Sequence, residues 1–408
     1  KRRLKPPFVF ISTENCMSKM MDTYARQPVT FEKGEGVWLW AKDGKKYLDA
    51  LSGVAVNGLG HAHPKLVKTI HEQVSKLIHV SNVYHIAEQE KLAEKLTAIS
   101  HMDKVFFCNS GCEANEAAIK LARLYGHQNG IETPEIIVME KAFHGRTMAT
   151  LSATGNRKSQ AGFEPLVGGF IRAAFDDLEA IQQIASRKNN VVAILVEPIQ
   201  GEGGINIPSN IQNYLKGLRE ICDQHNWLLM LDEVQCGIGR TGKWFAHQHT
   251  SIKPDVMTLA KGLGSGVPIG ACLAKGKASH VFTPGKHGST FGGNPLATAA
   301  GFATLNIIEE DKLCNHASKM GALINEEFTK QLKDCPQVKG VRNLGLMVGI
   351  ELDQPCGDLT KLALEEGLLI NVTAEKVIRL LPALVINEAE ARELTVRLSK
   401  VIKAFLVK

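Results

Sequence analysis

Two ionisable residues, Asp232 and Lys261, each stand just behind an apolar, strand-like run. Trp227-Leu228-Leu229-Met230-Leu231-Asp232 ends on a carboxylate, and Thr258-Leu259-Ala260-Lys261-Gly262 places an amine in the same way. Open α/β sheets present their chemistry at the carboxyl ends of strands. An amine held unprotonated, by low polarity or by neighbouring positive charge, can attack a carbonyl and form a Schiff base. A buried carboxylate beside a ring nitrogen keeps that nitrogen protonated. Each residue alone also has an ordinary reading, Asp232 as a helix cap or loop acid and Lys261 as an exposed cation.

Four further strings surround this pair. Asn109-Ser110-Gly111-Cys112 turns from an apolar strand into a helix. Gly111 permits close backbone approach there, and free N–H groups at a helix start attract an anion such as phosphate; a simple capped turn has the same residues. In Phe143-His144-Gly145-Arg146, the aromatic ring can stack on a planar group and Arg146 can grip a carboxylate, or they are a core residue and a surface cation. Glu197-Pro198-Ile199-Gln200-Gly201-Glu202-Gly203-Gly204 reads as a mobile loop over a pocket or as a solvated loop. Gly288-Ser289-Thr290-Phe291-Gly292-Gly293-Asn294-Pro295 offers hydroxyls between glycines, for phosphate oxygens or merely for a flexible turn. Six such strings in this order specify one site, and the chemistry they jointly fit is that of pyridoxal 5'-phosphate.

Gly262-Leu263-Gly264-Ser265-Gly266 misses the third glycine of a dinucleotide fingerprint, and there is no Walker-type Gly-Lys-Ser/Thr and no G-x-S-x-G elbow. His61 and His63 form an H-x-H pair without an evident third ligand, so no metal site is expected. The nine cysteines, at 16, 108, 112, 222, 236, 272, 314, 335 and 356, are scattered, odd in number and without a C-x-x-C pair. Reduced thiols in a cytoplasmic enzyme are the expectation. A formal charge of +6 over 408 residues, with no interleaved aromatics, gives no reason to expect nucleic acid as a partner. No apolar run approaches the ~20 residues that span a bilayer.

The elements that must position these residues follow from periodicity. Near-continuous apolar runs at 105–108, 135–139, 191–196, 227–231 and 256–260 suit strands buried on both faces of a mainly parallel sheet. Segments 113–126, 177–187 and 211–225 fit the covering helices. Short strands and turns are expected over 30–58, and a helix from Pro64 with Leu66, Ile70, Val74 and Leu77 on one face. Strands at 348–352 and 377–381 and a closing amphipathic helix over 388–406 mark a smaller α+β unit. The expected organisation is a tail over 1–16, a segment over 17–60 packing with the small domain, a large α/β domain over 61–300 and a small domain over 301–408.

With Ser52-Gly53-Val54-Ala55-Val56-Asn57 and Gly60-His61-Ala62-His63-Pro64, these motifs resemble the class III, ornithine-type aminotransferases of fold type I over essentially the whole chain beyond residue 20. The resemblance implies a large domain with a mainly parallel sheet and a smaller C-terminal α+β domain. It assigns Lys261 as the Schiff-base lysine and proton shuttle, Asp232 to the pyridine nitrogen and Gln235 to the ring hydroxyl. Val234 and Phe143 would sandwich the ring, while Gly111 and Cys112 would supply N–H groups to the phosphate beside Ser110. Thr290 would reach the phosphate from a neighbouring subunit, with Ser289 approaching substrate there; a homodimer with shared active sites follows. Cys112 departs from the small or aliphatic residue usual after Ser-Gly, with little expected effect on a backbone contact.

The same resemblance makes Arg146 the ligand of the donor's α-carboxylate and Glu202–Arg379 a gated pair. Glu202 would neutralise Arg379 while the donor presents its terminal amine, then move aside for 2-oxoglutarate. Glu197 would stand behind the site, orienting Gln235. Gly53, where plain ornithine aminotransferases carry tyrosine, leaves room for an N-acylated donor. The implied reaction is transfer of the δ-amino group of N2-acetylornithine to 2-oxoglutarate, as in arginine biosynthesis, with succinyl-diaminopimelate of lysine synthesis as a further donor. Ornithine or 4-aminobutyrate as donor, or a racemase or lyase on the same fold, are the alternatives.

Overall fold

A computed structural model describes residues 19–407. The expected tail over 1–16, with Cys16, lies outside the described residues. Lys19–Thr30 hold no helix or strand and belong to a unit separate from the one that starts at Phe31.

Strands form where the apolar runs stand. Val191–Val196 is buried at all six positions and Leu228–Asp232 at all five, the pattern of strands covered on both faces. They lie inside a seven-stranded sheet in the order Lys104–Cys108, Gly270–Ala274, Val256–Leu259, Leu228–Asp232, Val191–Val196, Glu135–Met139, Phe170–Ala173. All run parallel except Gly270–Ala274, which is antiparallel to both neighbours. Two of these strands are not evident from periodicity: Phe170–Ala173 is a short edge, and Gly-Ala-Cys-Leu-Ala has little of the usual β-branched character.

Helices Gly111–Gln128, Leu178–Arg187 and Ile211–His225 flank the sheet, each opened by a side-chain cap from Ser110, Asp177 or Asn210. The third turns Tyr214, Leu215, Leu218, Ile221 and Cys222 inward at helical spacing. Truncating a buried leucine such as Leu218 to alanine would cost about 2–5 kcal/mol. The helix from Pro64 ends at Val74, so Leu77 lies beyond it and, like Val74, is exposed. Only Leu66 of the four expected face residues is fully buried.

Two smaller sheets complete the fold. Phe31–Glu35, Trp38–Ala41 and Lys46–Asp49 form an antiparallel meander that Leu368–Leu369 joins in parallel. Val338–Leu344, Met347–Leu352, Val377–Leu380 and Asn371–Thr373 form an antiparallel sheet. The closing helix, Glu388–Leu406, starts in a capping box made by Asn387 and Glu390. The division expected at residue 300 falls inside one helix, Pro295–Glu310, capped by Asn294. That helix is apolar on most faces and buried among its neighbours.

Candidate active site

The carboxyl edge of the large sheet opens into a cavity of about 320 Å³. The strand Lys104–Cys108 delivers Asn109 and Ser110 to it, and the helix Gly111–Gln128 starts there. Ser110 Oγ accepts from Glu113 N at 3.2 Å, and Glu113 returns a carboxylate oxygen to Asn109 N and Nδ2, each at 2.8 Å. Gly111 and Cys112 line the cavity with first-turn N–H groups, which a helix leaves without partners of its own. A Cβ on Gly111 would come within 2.7 Å of Val234 Cγ1, so glycine lets the helix start close over the loop that follows Asp232.

Asp232 is 3 % exposed and held from three sides. Its Oδ2 accepts from Asn115 Nδ2 at 2.7 Å and lies 2.8 Å from His144 Nδ1, which therefore carries the proton; Oδ1 accepts from Val234 N at 3.0 Å. Thr258 extends the network by donating to Asn115 Oδ1 at 2.7 Å. The far nitrogen of His144, Nε2, is buried and has no hydrogen-bond partner among the described residues. A carboxylate so supported stays fixed in place while its charge faces the cavity.

Lys261 follows the strand Val256–Leu259 at φ +43°, a left-handed conformation that a non-glycine residue keeps only when its surroundings enforce it. Burial, helped by the Arg379 guanidinium, pulls its ammonium below the ordinary lysine value, against the opposing pull of Glu202, Asp232 and Glu197. The neutral amine that carbonyl attack needs is thereby favoured. Glu197, also buried, is pushed up to about 7 by burial, with Asp232 adding to the effect and His144 opposing it.

Glu197 does not orient Gln235. Its carboxylate accepts instead from the backbone N–H groups of Phe143, at 3.0 Å, and Gly201, at 3.2 Å. One donor comes from the loop after the neighbouring strand and the other from Glu197's own loop, so Glu197 ties the aromatic to the loop that carries Glu202. Gln235 faces Arg379, whose Nη1 lies 3.3 Å from its amide oxygen. A Cβ on Gly201 would run into that same amide, so the glycine is what admits Gln235. Arg379, 2 % exposed, also donates from Nη1 to Glu202 Oε1 at 2.6 Å and from Nη2 to Asn371 Oδ1 at 2.8 Å. Its Nε is buried without a partner among the described residues.

The structure therefore brings Ser110, Gly111, Cys112, Phe143, Glu202, Asp232, Val234, Gln235 and Lys261 around one cavity, with Arg379 behind Glu202. Arg146 is exposed outside the lining, its guanidinium 5.5 Å from the Phe143 ring centroid, and its backbone N–H donates to Cys112 Sγ at 3.2 Å. Ser289 reaches the site's edge through Asn109 Nδ2, 3.2 Å from its Oγ. Thr290 is exposed and does not line its own chain's cavity. Gly53 does not line it either; Val56 from the same turn does. His61 bonds Asp49 at 2.8 Å.

Three contributors escaped the sequence reading. Asn115 stands four residues after Gly111, so helical spacing alone would have put it on the same face. His144 sits in a string already singled out, without a role. Asn371 lies on a short edge strand and carries no local signal.

The carboxyl-edge position, the helix-start cradle and the acid–lysine pair lining one cavity define the class. The chain belongs to the class-III aminotransferases: the family model described as "Aminotransferase class-III" matches residues 20–402. It is 63 % identical over 390 residues to an acetylornithine aminotransferase of Nitrosomonas europaea, covering 96 % of this chain and 99 % of that one. Among solved structures, an acetylornithine aminotransferase of Elizabethkingia anophelis superposes with a TM-score of 0.84 at 38 % identity, covering 94 % of this chain and 96 % of that one. An ornithine aminotransferase of Toxoplasma gondii, described with partial occupancy of PLP at its active site, gives 0.90 at 33 %, covering 96 % and 94 %. No helix among the described residues is long and apolar enough to cross a membrane.

Proposed function

We propose that this aminotransferase moves the δ-amino group of N2-acetylornithine to 2-oxoglutarate, giving N-acetylglutamate 5-semialdehyde and glutamate, as in arginine biosynthesis. The cofactor is pyridoxal 5'-phosphate, which supplies the electron sink for the transfer when bound. The residues present fit it. Lys261 Nζ would hold the aldehyde and serve as the proton carrier, and Asp232 would keep the ring nitrogen protonated. Val234 and Phe143 would flank the ring, Gln235 would meet its hydroxyl, and Ser110 with the N–H groups of Gly111 and Cys112 would take the phosphate. The helix start supports this assignment, because its first N–H groups have no partners within the helix, and so does Lys261, whose ammonium is held below the ordinary lysine value beside the same cavity.

The observation that carries the substrate reading is the Glu202–Arg379 pair. A buried arginine neutralised by a glutamate about one-third exposed suits an enzyme that takes two acids in turn, one of which must be kept off that arginine. Arg146, at the mouth, takes the donor's α-carboxylate, with Ser289 approaching substrate.

The enzyme is a cytoplasmic homodimer with shared sites, Thr290 reaching the phosphate of a second copy. Segment 78–84 packs against 289–292 through Asn82 Nδ2, which donates to the carbonyls of Ser289 and Gly292, and through the His79–Phe291 ring contact. That junction leaves Ile78, Val83, Tyr84 and Phe291 exposed beside Thr290, an apolar patch that a second copy would cover. Initial rates with acetylornithine, ornithine, 4-aminobutyrate and succinyl-diaminopimelate test the reading. Acetylornithine should have the highest kcat/KM; faster turnover of unacylated ornithine would reject it. Failure of 2-oxoglutarate to regenerate the aldehyde form would point to a racemase or lyase instead.

A further inference from the structure

One short edge strand, Asn371–Thr373, touches both members of the Glu202–Arg379 pair. Asn371 and Arg379 are register partners in the antiparallel pairing with Val377–Leu380, and the Asn371 amide oxygen accepts from Arg379 Nη2 at 2.8 Å. Two residues on, the Thr373 hydroxyl donates to the backbone carbonyl of Glu202. Residues two apart share a strand face, so a single strand face addresses the guanidinium and the loop that carries its carboxylate.

The charges on Arg379's partners differ in kind. Among the described residues, Glu202 is the charged one that it bonds, and the Glu202 side chain is 36 % exposed, whereas Arg379 is 2 % exposed. Gln235 and Asn371 contribute neutral amide oxygens. A buried cation that loses its counter-charge is strongly destabilised. Once Glu202 turns outward, the two amides keep the guanidinium in place without neutralising it, and an incoming carboxylate supplies the missing charge. An acid at 371 would neutralise Arg379 permanently and weaken its pull on substrate. An apolar residue there would leave Nη2 unpaired and the guanidinium plane unfixed.

We infer that Asn371 is a positioning residue for the amino acceptor: a neutral amide that fixes Arg379 while preserving its charge for the dicarboxylic 2-oxo acid. The inference rests on the transamination reading above. Because it acts on one half-reaction only, the two can fail separately.

The test uses the holoenzyme with Asn371→Asp and Asn371→Ser. The two half-reactions are followed separately by the absorbance of the loaded enzyme, and glutarate, an unreactive dicarboxylate, is titrated by calorimetry. Asn371→Asp should raise KM for 2-oxoglutarate and weaken glutarate binding by about tenfold or more, leaving kcat at saturating acceptor and the donor half-reaction unchanged. Asn371→Ser, smaller and uncharged, should show a weaker form of the same split. Equal losses in both half-reactions, unchanged acceptor KM, or an aspartate no worse than the serine would overturn the inference. Should wild type not transaminate 2-oxoglutarate at all, the functional reading falls. The glutarate titration would then still decide whether Asn371 governs a carboxylate site.

Discussion

Replacing Glu202 by glutamine keeps the shape of the gate and removes its charge. In the structure Arg379 Nη1 lies 2.6 Å from Glu202 Oε1, which places the charge centres about 4 Å apart; at an effective dielectric of about 20 their attraction is about 4 kcal/mol. Glu202 is about one-third exposed, and glutamine retains a neutral hydrogen bond, so the net loss reduces to about 1–2 kcal/mol. That corresponds to roughly 5–30-fold in the occupancy of Arg379 by an incoming carboxylate. With acetylornithine as donor, the free arginine captures its α-carboxylate and sets the acetamido group, which cannot react, at the reacting position. Glu202→Gln should therefore show substrate inhibition by acetylornithine and a slowed donor half-reaction, while KM for 2-oxoglutarate falls or holds. Single-turnover absorbance changes, with donor and acceptor mixed separately, measure both. A variant whose donor and acceptor half-reactions fall together would refute the gating argument.

Borohydride should fix the cofactor to the wild-type chain but not to Lys261→Ala, which should also lose turnover; covalent labelling of that variant would remove the basis of the mechanism. Asp232→Asn leaves a single acceptor oxygen for donors that now use two, and should lower kcat by on the order of 10²–10³ with the fold intact by circular dichroism. Gly201→Ala should push Gln235 away from Arg379 and raise KM for 2-oxoglutarate more than it changes kcat; an unchanged KM would mean that Gln235 is not held there. Lys261 has its pKa lowered by folding, so between that depressed value and the unfolded one, about 10.4, the unfolded chain binds more protons and stability rises with pH. Lys261→Met should accordingly stabilise the cofactor-free protein at pH 7, with an advantage that shrinks steadily as the pH approaches about 10.4, in paired thermal melts.

What the sequence disclosed depended on how each element is stabilised. Val191–Val196 and Leu228–Asp232 are buried on both faces, and a continuous apolar run is the direct record of that burial. Helix Ile211–His225 shows one apolar face because it covers the sheet on one side only. Gly270–Ala274 left no such record: its small residues fit between two antiparallel neighbours, so pairing rather than side-chain bulk determines it. Asp232, Lys261 and Glu202 stood out because charge beside apolar runs and glycines is unusual. Asn371 did not, since its partner Arg379 is set opposite it by strand register, which no local pattern encodes.

That antiparallel strand also explains how the cavity closes. Parallel strands deliver their following loops to the carboxyl edge: Asn109 after the first, Phe143 and Glu197 after two others, Asp232 and Lys261 after neighbours in which Asp232 stands opposite Thr258. A strand running the other way brings the loop that precedes it to the same edge. So Gly266, Val267, Pro268 and Ile269 enter the cavity from Gly270–Ala274, lying between the helix-start cradle and the lysine. Arg379 comes from a different sheet, and its contacts with Glu202 and Gln235 help to join the two. The groups that would hold the cofactor thus share one rigid sheet edge, whereas the group that would choose between substrates is held across a junction between sheets, where a single glutamate can be displaced without disturbing the rest.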